Sequence, residues 1–160
     1  MWRTELLHPQ FVHFTVALIL FGSLLWLLSF LFKERRSSLL SSAGQILIVA
    51  GTAISWGTIY TGNLADAEVG RTLCDPTVLE SHENHAFTMA YIFSGVSVVL
   101  LINQFTSLFK RFRGAIYLVV ALAIVGGNAY LTYTAHLGAQ VVYQQGGGVY
   151  QPSEDCSEFE

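Results

Sequence analysis

Charge is what this chain has least of. Only 12% of its 160 residues are Asp, Glu, Lys or Arg, against about a quarter in soluble domains, while 52% are hydrophobic. The mean hydropathy is +0.50. A net charge of −3 with no basic stripe excludes a nucleic-acid partner. The helices lack HExxH, a Glu-x-x-His pair repeated on two helices, and any Ser, Lys and Asp set for hydrolysis, which excludes a zinc protease and a ferritin-like di-iron centre. Gly146-Gly147-Gly148 follows the last apolar run instead of opening a helix, so no phosphate-binding loop is present.

Charge is missing most completely from four stretches: Phe11–Phe32, Ala43–Gly62, Ala86–Phe109 and Gly114–Ala135. About 20 helical residues cross a hydrocarbon core of about 30 Å, and each stretch reaches that length without Asp, Glu, Lys or Arg. The pattern predicts an all-α, integral-membrane, four-helix up-down bundle. Its helices are expected over roughly 9–32, 41–64, 82–109 and 114–137, in one domain (1–160) ending in a short tail (138–160).

Six of the eight Lys and Arg residues lie in two short loops: Lys33, Arg35, Arg36, Lys110, Arg111 and Arg113. By the positive-inside rule these loops face the cytoplasm. Both termini and the acidic segment Asn63–His85 then lie outside, the periplasmic side of a bacterial inner membrane. Because the charges follow the first apolar run, that run reads as a helix and not as a cleavable leader. Cys74 and Cys156, the only cysteines, both fall in outer segments, where a disulfide between them is a candidate and a Cys–metal site the weaker alternative.

Five histidines stand near the same ends of these helices: His8, His13, His82, His85 and His136. Imidazoles gathered on one side of an apolar bundle point to a bound metal, foremost haem iron, which commonly takes two neutral imidazoles from facing helices. His8 precedes Pro9 and reads as interfacial; His13, about 140° around the helix from it, lies a turn deeper. His82 and His85 share a face, with His82 in the wetter setting. His13, His85 and His136 are therefore the expected metal ligands, with His13–His85 the first pair and His136 a replacement or neighbour. First and third helices lie on a diagonal of such a bundle, so both could reach a central iron. Small residues, Gly126, Ala129 and Thr132 before His136 and Gly51, Gly57, Thr58 and Gly62 on the second helix, serve close packing or leave room for a flat macrocycle. Met89 reads as packing. Arg3 and Arg71 are candidate partners for propionates, and five histidines could serve one haem b or two.

The opening His8-Pro9-Gln10-Phe11-Val12-His13-Phe14 and the ending His136-Leu137-Gly138, Val141-Val142-Tyr143 and Gly146-Gly147-Gly148-Val149 resemble a family of bacterial four-helix inner-membrane proteins. That family is catalogued as domain of unknown function 2231. The resemblance covers nearly the whole chain. Because some relatives carry fused Rieske or cytochrome c domains, it implies electron transfer by analogy. The expectation is a b-type cytochrome-like protein with enzymatic activity left open. A quinone or quinol and a periplasmic redox protein are the expected partners besides lipid, and a homo-oligomer is left open. The alternatives are a Cu, Fe or Zn site, or a non-catalytic subunit of a respiratory complex.

Overall fold

A computed structural model of the protein describes residues 4–106 and 110–149. Four helices make up almost all of it: α1 (Leu7–Leu28), α2 (Glu34–Val69), α3 (Pro76–Phe105) and α4 (Arg113–Tyr143). Each is long and apolar enough to cross a bilayer. Short 3₁₀ turns, Thr4–Leu6, Ser29–Leu31, Gly70–Thr72 and Lys110–Phe112, flank them.

The helices pack α1 on α2, α2 on α3, α3 on α4 and α4 back on α1, while the diagonal pairs make no backbone approach among the described residues. This is an up-down bundle. Its two ends differ in chemistry: Lys33, Arg35, Arg36, Arg111 and Arg113 mark one, and the histidines mark the other.

Three helices run past their apolar stretches at the histidine end. The second was expected to stop near 64 and continues to Val69; the third starts at Pro76, before 82; the fourth runs to Tyr143, beyond 137. At about 1.5 Å per residue, the 36 residues of α2 span about 54 Å, well over a hydrocarbon core of about 30 Å. Apolar composition marks only the lipid-facing length, whereas the backbone goes on closing hydrogen bonds into polar flanks. Asp75 opens α3 as its N-cap, accepting from the Thr77 N–H (3.0 Å) with Pro76 at the first turn.

The inward faces carry a mixed core. Ile19, Trp26, Ile48, Phe93 and Ile124 are fully buried, and so are the hydroxyls of Thr15, Thr52, Ser55 and Ser97. Thr52 and Ser97 share a hydrogen bond of 2.9 Å between α2 and α3. The outward faces expose Phe14, Phe21, Leu118 and Leu122, large apolar groups that suit lipid. Trp26, Phe30 and Tyr117 form an edge-to-face cluster joining α1 to α4 near the basic end.

Candidate functional site

The first and third helices each aim one imidazole at the bundle axis, and these are His8 and His82. Their ring centroids lie 6.2 Å apart, with ring planes at 81°. Each is half-buried and tied to the helix that follows it. His8 Nδ1 donates to the Thr58 carbonyl on α2 (3.0 Å), and His82 Nδ1 donates to the Thr134 carbonyl on α4 (3.0 Å). A carbonyl only accepts, so Nδ1 carries a proton in both rings, and in the neutral imidazole Nε2 is then the unprotonated nitrogen.

Glycine makes this approach possible. Gly62 and Gly138 stand four residues after Thr58 and Thr134; a Cβ on Gly62 would lie 3.1 Å from His8 Cε1, and one on Gly138 2.9 Å from His82 Cε1.

The pair borders a cavity of about 230 Å³ between the four helix ends. Ile59, Val69, Leu79 and Val141 supply apolar wall; Glu5, Asp66 and Glu83 also line it, and among the described residues no Lys or Arg does. The segment Gly147-Gly148-Val149 closes one side. It turns back because Gly147 N–H donates to the Val141 carbonyl (2.9 Å), with Gly146 and Gly148 at φ of 71° and 72°, where a side chain is strained. Asp75 N–H donates to Gln145 Oε1 (3.1 Å), fastening this turn to the loop between α2 and α3.

The other histidines lie elsewhere. His13 is exposed on the lipid-facing side of α1 and donates to the Pro9 carbonyl of its own helix. His85 donates to the Ser81 carbonyl (2.7 Å), stacks on Tyr130 with centroids 5.3 Å apart and meets the edge of Tyr133 at 5.1 Å. His136 is exposed, its Nε2 accepting from the Gln140 amide (3.3 Å). Gly126, Ala129 and Thr132 are exposed with it, so that small-residue stripe faces away from the bundle. Met89 is core. Arg71 is exposed in the turn after α2, and Cys74 is exposed as well. Arg3 and Cys156 lie outside the described residues.

The structure thus turns His8 and His82, read as interfacial, toward each other and leaves His13 and His136 exposed, for a helical reason. Residues at seven-residue spacing share a face, so His8 lies in line with buried Thr15, and His82 in line with buried Met89. Depth along a helix was readable from the apolar runs, but its rotation was not, because the runs are apolar all round. One signal for rotation was available. Thr-x-x-x-Gly occurs at Thr58–Gly62 on α2 and again at Thr134–Gly138 on α4, each partnered by one histidine at the start of the preceding helix.

Among the described residues no three His, Cys, Asp or Glu side chains gather closely enough for one metal ion. The fold and site therefore define a four-helix membrane protein with a paired-imidazole cavity at one end. The chain belongs to the family of predicted membrane proteins called DUF2231, which matches residues 5–151. No curated protein and no solved structure is matched by this chain.

Proposed function

We propose that this protein is a b-type cytochrome-like electron-transfer protein in which His8 and His82 hold haem iron. The carrying observation is the pair of Nδ1-anchored imidazoles with centroids 6.2 Å apart. Two imidazoles bound to one metal at about 2.0–2.1 Å each would place their centroids about 6 Å apart. Donating the far ring nitrogen to a carbonyl is how metal-bound histidines are usually oriented. With only two histidines at the cavity, a macrocycle supplying the other ligands fits better than a bare Zn or Fe ion, which needs more protein donors. Bound haem would supply reversible one-electron transfer; the chain's own residues would hold both imidazoles through Thr58 and Thr134 and exclude water with the apolar wall.

Size sets a condition on this reading. Small-molecule sites usually measure about 300–1,000 Å³, so a macrocycle would displace the Gly147–Val149 turn or extend past it. The acidic lining would turn propionates away from Glu5, Asp66 and Glu83. That same lining favours a second reading, a two-coordinate copper ion, since carboxylates at the mouth attract a cation. Loop charge supports reading the histidine end as the periplasmic side of a bacterial inner membrane.

The test is a reduced-minus-oxidised spectrum of detergent-purified protein expressed with ample haem, together with elemental analysis. A Soret band that is lost in His8→Ala and His82→Ala but kept in His13→Ala, His85→Ala and His136→Ala supports haem on this pair. Stoichiometric copper without a Soret band selects the second reading. Neither haem nor metal rejects both and leaves a non-catalytic subunit.

A further inference from the structure

We infer that Thr58 with Gly62, and Thr134 with Gly138, are one imidazole holder built twice, which commits His8 and His82 to present an unprotonated Nε2 to the cavity. The occupant rests on the two-histidine reading above; the holder rests on geometry alone. A helix carbonyl points toward the residue four positions on, and side chains lean back toward the N-terminus, so a Cβ at that position crowds any outside donor. Gly62 and Gly138 occupy that position relative to Thr58 and Thr134. A Cβ would stand 3.3 Å from Nδ1 of His8 in one case and 3.3 Å from Nδ1 of His82 in the other. The same three residue types in the same relation, on α1–α2 and on α3–α4, make the two halves of the site equivalent.

His13 and His85 are held differently. Each donates to the carbonyl four residues back on its own helix, with no second helix and no glycine involved. Only the His8 and His82 hydrogen bonds cross to a neighbouring helix; His85 meets α4 through the Tyr130 and Tyr133 rings alone.

The chemical consequence concerns what the cavity can bind. Two Nε2 lone pairs take an electron-pair acceptor, which is a metal centre, or a hydrogen-bond donor. In the neutral form they offer nothing to an anion, and Asp66 and Glu83 along the same cavity repel one. Gly62 and Gly138 are positioning residues for that choice, because they admit the bond that holds the proton on Nδ1.

The test is the histidine tautomer, read by ¹⁵N NMR on full-length protein labelled at histidine and produced without haem, with signals assigned by their loss in His8→Gln and His82→Gln. The expected wild-type result is a pyrrole-like Nδ1 and a pyridine-like Nε2 for both rings. Gly62→Ala should return His8 alone to the mixture of free histidine, and Gly138→Ala His82 alone. Gly95→Ala, where an added Cβ meets nothing within 4 Å, should change neither. An Nε2–H form at either wild-type ring, or Gly62→Ala switching both rings or none, overturns the holder. If Gly62→Ala does not fold, the wild-type signals and Gly138→Ala decide. Correct tautomers in a protein that never takes up haem would reject the haem reading and leave the holder standing; a Soret band with wrong tautomers would do the reverse.

Discussion

The two hairpins present their histidines alike but are built by different means. In α1–α2 the backbones touch: a Cβ on Gly44 would lie 2.6 Å from Trp26 N, one on Gly22 2.8 Å from Ile48 N, and one on Gly51 3.1 Å from Ile19 N. In α3–α4 side chains fill the gap. Gly127 would first meet the Phe93 ring and Ile92 Cγ2, each at 3.1 Å, and Gly95 and Gly126 would meet nothing within 4 Å. Small residues allow close approach in a membrane, where lipid supplies no hydrophobic drive between helices. One hairpin is thus a backbone-to-backbone clasp and the other a side-chain seam, although both set a histidine on a threonine carbonyl. Equivalent sites do not require equivalent packing.

The largest effect is expected where the clasp is tightest. Gly44→Ala should lower the thermal midpoint in detergent by an amount matching about 1–3 kcal/mol of overpacking, because backbone cannot yield as a side chain can. Next comes the link between hairpins. Thr52→Val removes the bond to Ser97 and should cost about 0.6 kcal/mol and at most about 1.7, read from the same melts and from its non-additivity with Ser97→Ala. Gly127→Ala should cost under about 1 kcal/mol, since the Phe93 ring and Ile92 methyl can shift. Equal losses for Gly44→Ala and Gly127→Ala would erase the difference between clasp and seam.

The smallest effect is expected outside the membrane. The Thr77 hydroxyl, and then its N–H, hold the Asp75 carboxyl below its ordinary value. The folded state therefore favours the ionised form. The cap's contribution is complete above the ordinary carboxylate value of about 3.9 and is lost as pH falls through the lowered folded-state value. Asp75→Ala should loosen the start of α3 in hydrogen exchange near neutral pH. That difference from wild type should vanish in strong acid.

Much of the architecture was legible in the residues. Four uncharged runs specify four spans, and the basic loops separate the two ends. The helix ends were less legible, because Leu64–Val69 and Pro76–Ser81 are polar enough to read as loop and yet continue α2 and α3. That the histidines share one end was legible from their places along the runs, but the sequence ranked them by depth. His13, with Phe11, Val12 and Phe14 around it, looked buried because its neighbours are apolar; in a bilayer that describes the outside as well as the core. His8, ahead of Pro9 at the helix start, looked interfacial, and His82, among Glu80, Ser81, Glu83 and Asn84, looked wet. Both are drawn inward by Thr58 and Thr134, whose role depends on which helix packs beside which.

By itself, then, the sequence determined that this chain is a four-helix membrane protein with its imidazoles at one end and six of its eight Lys and Arg residues at the other. Those properties follow from composition along the chain, since the cost of a charge in hydrocarbon does not depend on its neighbours. Tertiary structure alone decided which two of the five histidines meet, because rotation about each helix axis is set by contacts between helices. Those contacts are Gly44 against Trp26, Gly127 against Phe93, and each imidazole on its threonine carbonyl.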